Sequence, residues 1–317
     1  MALAAGMTVP FETVPAAAAA PCTTEVASLD ESEALAAAKR LGSSVEVTSL
    51  KTETSRVMAD PRGALAMESY AVPQWTKDRR GGGWQKIDTR LQRAADGTLT
   101  PMATLAAVAF SAGGAGPAVR LAIEGGHVEL AWPGALPTPR LEGDTAVYGS
   151  VLPGVDLRLR ALVDGFTWVL VVTSPQAAKN PALDELRFGL RTTGSLARRP
   201  RPSGGFDVVD ASGRAVVSTG SALMWDSSGL IPAARAAKSL ELSEVAAQER
   251  REVVRAAPDL ARKAELATRM EGADLVIRPD LSLLRGSEAA YPVVIDPWTT
   301  INKGAVGLRQ HHQRDQR

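Results

Sequence analysis

The sequence predicts an all-β protein, mainly an antiparallel β-sandwich or two packed sandwiches, with a short N-terminal helix and a helical or flexible insertion. Three observations carry that expectation. Val155, Leu157, Leu159 and Ala161 alternate with Asp156, Arg158 and Arg160, the period of a strand with one wet face. After an Asp164-Gly165 turn, Phe166 to Val172 is an almost unbroken apolar run containing Trp168, suited to a strand covered on both faces. Elsewhere about a dozen short extended segments are separated by turn signals, and no regular helix alternates with them, which disfavours a parallel α/β fold. The first two segments mark the centre of a sheet, with Asp156, Arg158 and Arg160 expected outside as a solvated charge group.

In chain order, residues 1–21 are small and apolar and end in Ala16 to Ala20, which offers positions a signal peptidase accepts. A basic start is missing and Glu12 interrupts the apolar part, so the segment reads as a shortened secretory leader. Residues 22–43 read as a short helix and linker: Asp30 is a cap with Glu33 three residues on, the Ala-rich positions that follow favour helix, and Gly42 stops it. A β-rich domain is expected over 44–229. It starts with the Val-, Thr- and Ser-rich stretch from Val45 to Met58 and continues with strands at Ala64 to Val72 and Trp84 to Leu91. A short strand at Thr98 to Thr100 is expected to stop at Pro101. Val119, Leu121 and Ile123, then Glu124-Gly125-Gly126, then Val128, Leu130 and Trp132 spell a hairpin. Leu183 to Arg191 and the two arms of Gly205 to Ser218 supply further strands, and Met224-Trp225 another short one.

Residues 230–258 are rich in Ala, Glu and Arg with weak apolar periodicity, and read as an insertion or linker rather than a packed core helix. Closing strands of the β-rich domain are expected within 259–302, at Ala264 to Met270, Ala273 to Arg278 and Tyr291 to Ile295, and 303–317 reads as a disordered tail.

The charges nearly cancel, 36 Lys and Arg against 35 Asp and Glu, so no global field draws the chain to nucleic acid. Arg198, Arg199 and Arg201 read as a solvated loop. No apolar run reaches the ~18 residues of a spanning helix. The lone cysteine, Cys22, allows no intrachain disulfide and no CxxC metal site.

No catalytic, cofactor-binding or metal residue is assigned. Of the three histidines, His127 sits at a hairpin turn without a partner motif, and His311 and His312, with Asp315, lie in the tail. The Gly81 to Gly83 and Gly113 to Gly116 clusters lack the strand-to-helix context of a phosphate cradle. Asp156, Asp164, Asp226 and Asp296 lie near apolar strand ends, where a raised pKa is conceivable, but such aspartates usually cap backbone donors. Among the six tryptophans, Trp75 and Trp298 are the candidates for exposure and for stacking on sugar rings, whereas Trp168 belongs to the core.

YGSVLPGVDLRLRALVDGFTWVLVV, at 148–172, and YPVVIDPWTTINK, at 291–303, resemble the shared N-terminal region of large secreted actinobacterial proteins. In those proteins a β-rich module precedes LamG-like, DNRLRE-type or RHS/YD-repeat domains. The likeness extends from about Leu35 to Lys303 and takes in VPQWTK, WQKIDTRLQ, ALMWDSSG and LVIRPDLSLL. The resemblance implies a secreted or cell-surface, modular, non-catalytic architecture, partnered by the distal domains of the full-length protein or by cell-surface polysaccharide, with no cofactor. After Lys303 the family continues into further domains where this chain has a polar tail, so a truncated product is expected. A carbohydrate-binding module is the alternative reading, and a glycoside hydrolase with paired carboxylates a more remote one.

Overall fold

The two strands singled out by their patterning, Val155–Ala161 and Phe166–Val172, pair along their full length in a computed structural model. The structure describes residues 28–79, 81–201, 205–219, 222–228, 248, 252–297 and 299–301. The segment expected as a leader, Cys22, most of 230–258, Trp298 and the segment expected as a tail, with His311, His312 and Asp315, lie outside the described residues. Contacts divide the chain into a smaller unit, 1–51, 56–68 and 78–83, and a larger one, 52–55, 69–77 and 84–317.

In the smaller unit the helix Glu31–Leu41 starts where the sequence places it. Asp30 accepts from the Glu33 backbone N–H while the Glu33 carboxylate reaches back to the Asp30 N–H, a reciprocal cap that satisfies two otherwise unpaired donors. Gly42 ends the helix at φ 67°, a left-handed conformation that side chains resist. Ala34 and Ala38 pack on Val47, Val57 and Ala59. The stretch from Val45 to Met58 is not one strand: Val45–Glu46 and Ser55–Ala59 are strands, with a 3-10 turn at Thr48–Leu50 between them.

The larger unit is a β-sandwich. One sheet has seven strands in the order Arg140–Glu142, Thr145–Leu152, Val155–Ala161, Phe166–Val172, Val293–Asp296, Leu223–Trp225 and Lys263–Glu265. The other has eight: Ala267–Glu271, Asp274–Arg278, Leu186–Thr192, Gly126–Ala131, Val119–Ile123, Ala107–Phe110, Leu99–Ala103 and Asp88–Arg93. All described pairings in both are antiparallel. Val155, Leu157, Leu159 and Ala161, with Trp168, Leu170 and Val172 beside them, face Phe110, Leu121, Leu130, Phe188 and Ile277 in one buried cluster. Trp168 and Phe188 lie with ring centroids 4.3 Å apart, and Tyr148 donates to the Ser111 carbonyl at 2.6 Å. Two short helical elements, Pro175–Ala178 and Leu281–Arg285, are joined by the Arg285 guanidinium, which donates to the Ala178 carbonyl at 2.7 Å and meets Asp184 at 2.6 Å.

Several local expectations change. Leu99–Ala103 runs through Pro101 because the pairing slips there: Thr89 and Arg90 on the neighbouring strand face Met102 alone, and a bulge tolerates the missing proline N–H. The arginine run is not a loop. Ala197–Pro200 is an edge strand of a four-stranded sheet, Arg198 donates to the carbonyls of Leu190 and Gly272, and Arg199 pairs with Asp207 at 3.1 Å. The described end of the insertion packs rather than linking: 252–255 is helical, and Val253 and Val254 are buried against Val169, Val171, Trp225 and Val294. The Trp225 indole donates to the Val253 carbonyl at 2.8 Å and fastens that cover to the sheet.

Candidate binding cleft

Strand alternation sends Asp156, Arg158 and Arg160 to the outer face of the seven-stranded sheet, and register decides what surrounds them. Arg158 lies between Val147 and Val169, and Arg160 between Thr145 and Thr167. On the edge strand Arg140 stands opposite Val147 and Glu142 opposite Thr145, while Asp296 is opposite Leu223 on the other side. With 252–257 beside it, this face forms a cleft of about 730 Å³. Arg158 and Arg160 are therefore half-buried in the cleft floor, not solvated. Asp156 is no partner for them: its Oδ1 accepts from the Ser150 backbone N–H at 2.9 Å.

The charges in the cleft are unevenly matched. Glu142 is shared, pairing with Arg140 and, at 3.2 Å, with Arg158. Arg255 leans toward Asp144 at 3.6 Å. Among the described residues Arg160 makes no ion pair within 4.0 Å, and Arg158 Nε, Arg160 Nε and Asp296 Oδ1 are buried atoms with no hydrogen-bond partner. Burial pushes the Asp296 carboxyl up to about 7, with the Arg160 charge pulling it part of the way back.

That shift has a stability consequence. The unfolded chain loses this proton near the ordinary carboxylate value of 3.8, the native state only near 7. The native state binds more protons in between, so stability falls as pH rises through that window and levels off above it. Asp296→Asn is expected to match the parent near pH 3.5 and to exceed it by ~2–4 kcal/mol at pH 8, measured as urea midpoints at both pH values. A gap independent of pH would contradict the raised carboxyl.

The other sequence candidates are structural. Asp226 is fully buried and occupied by donors from Ser228, Arg262 and Ala290. Neither Asp156, Asp164 nor Asp226 lines the cleft. Trp75, expected on the surface, is buried at 6% exposure with its ring edge-on to Tyr70 at 5.4 Å, so it offers no stacking platform. His127 does gain partners from afar, with Nδ1 2.9 Å from Thr193 Oγ1 and Nε2 3.3 Å from Glu129 Oε1. This is a clasp rather than a nucleophile and base. The Thr193 hydroxyl also takes the His127 backbone N–H, Arg120 holds Glu129, and a Cβ on Gly126 would overlap the Thr193 carbonyl, so these groups are committed to closing the hairpin on the neighbouring chain. The densest charge cluster, Glu185 with Arg187, Arg269 and Arg278, is an exposed ion network whose members satisfy one another.

Among the described residues no group of three or more His, Cys, Asp or Glu side chains could hold a metal ion, and no helix is long and apolar enough to cross a membrane. Sequence reasoning did not find Arg140, Glu142 or Arg255 as neighbours of Arg160. Their only signal was the alternation of Arg140 and Glu142, and three residues are too few to fix a period. No protein-family model, no curated protein and no solved structure matches the chain.

Proposed function

We propose that this chain is a non-enzymatic β-sandwich module of a secreted or cell-surface protein, acting as its N-terminal structural or interaction part. The observation that carries the reading is the cleft on the outer face of the seven-stranded sheet: a concave, arginine-floored surface with buried polar atoms that no described side chain satisfies. A rigid sheet that presents such a surface is suited to holding a partner, whether a distal domain or a cell-surface polysaccharide. The resemblance of 148–172 and 291–303 to the leading module of large secreted proteins agrees with that role. On the alternative reading of a carbohydrate-binding module, this cleft rather than the buried Trp75 would meet the sugar.

Asp296 favours one second reading, a glycoside hydrolase, because a carboxyl held protonated near neutral pH is the mark of a general acid and Glu142 lines the same cleft. Against it, Glu142 already carries two arginines, which occupy the oxygens a base or nucleophile would use.

The test is retention of the purified chain on insoluble cell-wall and plant polysaccharides, with release of reducing ends followed on the same panel. Retention without turnover is expected. Turnover abolished by Asp296→Asn would replace the module with the hydrolase.

A further inference from the structure

We infer that the cleft binds an oxyanion, a carboxylate or phosphate group, carried on a hydroxyl-bearing molecule, with Arg160 and Arg158 holding the anion and Asp296 pairing with the neighbouring hydroxyl. This rests on the module reading and gives it a ligand class.

The floor selects for negative charge. Four arginines and two carboxylates line the cleft, and Glu142 is already divided between two of the arginines. Arg160 is left without a carboxylate within 4.0 Å among the described residues. A guanidinium in that position has its desolvation only partly offset, and a planar fork lying on a sheet is preorganised to take two oxygens of one oxyanion. Arg158 is two residues along the same strand on the same face, with its Nε unpartnered as well. The two arginines thus offer donors to a single group from a fixed base.

The second half of the site is Asp296. Its Oδ1 is buried without a partner, and the residue lines the same cleft. Protonated, a carboxyl donates to a hydroxyl oxygen; ionised, it accepts the hydroxyl proton, so a hydroxyl suits both states. Thr145 and Thr167, beside Arg160 in register, add hydroxyls along the floor. Val169 and Leu223 supply the apolar portions of the wall, and about 730 Å³ is within the usual range for a small-molecule site. Uronic-acid sugars and polyol phosphates both present this pairing of oxyanion and hydroxyl.

The test is calorimetric titration of the full chain with a galacturonate trimer, with a short glycerol-phosphate polymer and with the neutral maltotriose, each at low and at 0.5 M salt. At least one anionic probe is expected to bind and weaken in salt, and maltotriose is expected not to bind. Arg160→Gln should weaken the anionic probe at least tenfold, Arg160→Lys should recover part of the loss, and Arg62→Ala, on an exposed turn, should change nothing. Unchanged urea midpoints for the Arg160 variants show that the loss is local. Binding of the galacturonate alone assigns a uronate, and binding of the glycerol-phosphate polymer alone assigns a phosphate. The inference is overturned if neither anion binds, if maltotriose binds as tightly, or if Arg160→Gln binds like the parent. Maltotriose binding alone would leave the module reading standing, whereas turnover of a bound anionic probe would remove that reading and keep the oxyanion site.

Discussion

Trp168→Ala is expected to destabilise the sandwich by ~3–5 kcal/mol, the largest loss from any single side-chain truncation in its core. The indole is 1% exposed, sits at the middle of the seven-stranded sheet and touches Phe188 of the opposite sheet at 4.3 Å between ring centroids. Phe188 in turn has Trp132 edge-on at 5.4 Å, so removing the central ring leaves two aromatic neighbours facing a void. Strands paired on both sides cannot close in to fill it. Trp168→Phe separates the ring from the indole N–H. That N–H is buried without an acceptor, so its removal offsets part of the lost volume, and Trp168→Phe is expected to stay within ~1 kcal/mol of the parent. Urea midpoints of the two variants measure both effects. An alanine variant less than ~1 kcal/mol below the parent would deny Trp168 its central place.

Asp226→Ala is expected to cost a similar ~3–5 kcal/mol for a different reason. Its carboxylate is fully buried and gathers the backbone N–H groups of Ser228, Arg262 and Ala290, the Ser228 hydroxyl and the Arg262 guanidinium at 2.9 Å. Those donors belong to the segment after Leu223–Trp225, to the strand approach at Arg262 and to the chain entering Val293–Asp296, so one side chain ties three pieces of the sheet together. Alanine would strand several buried donors at once. Asp226→Asn keeps the shape but turns an amide N–H₂ toward groups that are themselves donors, and is expected to recover only part of the loss. Burial alone would push the Asp226 carboxyl up, but the hydrogen bonds from Ser228, Ala290 and Arg262 outweigh it and hold the carboxyl below the usual range. A carboxyl held low contributes stability that is present above the unfolded-state value of 3.8 and is lost as pH falls through the native one. The gap between parent and Asp226→Ala should therefore narrow in acid; at Asp296 the gap also closes in acid but has the opposite sign, the variant rather than the parent being the more stable at pH 8. Thermal unfolding across pH 2 to 8 on both variants would reveal whether the two gaps differ in sign.

The parts of the fold that were legible are those where a long enough run carries its own period or cap. Val155–Ala161 and Phe166–Val172 offered seven residues each: the first alternates buried and half-buried positions as its pattern requires, and the second is buried at every position but Thr167, as its continuous apolar run requires. The helix Glu31–Leu41 was announced by its capping box and Gly42, both local interactions. Strands of three or four residues, such as Trp75–Lys77, Ala107–Phe110, Arg140–Glu142 and Ala197–Pro200, were not legible because their identity comes from the neighbour they pair with. The short helix Leu281–Arg285 was missed in the same way: its Asp280 cap is ordinary turn chemistry until the chain around it is placed.

The sequence by itself determined an antiparallel β-body, the core position of Trp168 and the outward direction of Arg158 and Arg160, since Trp168 sits in a continuous apolar run and the two arginines alternate with apolar residues on the strand beside it. It could not determine what lies above the outward face, because alternation assigns a side but not a neighbour. Only the tertiary structure brought 252–257, Glu142 and Asp296 to that side and made a partly covered cleft of an expected solvated face. The same reason accounts for Trp75, whose proline and polar flanks suggested exposure while Tyr70 and the surrounding chain bury it. Local patterning fixes which way a residue points, and long-range register fixes whether water, protein or a ligand meets it there.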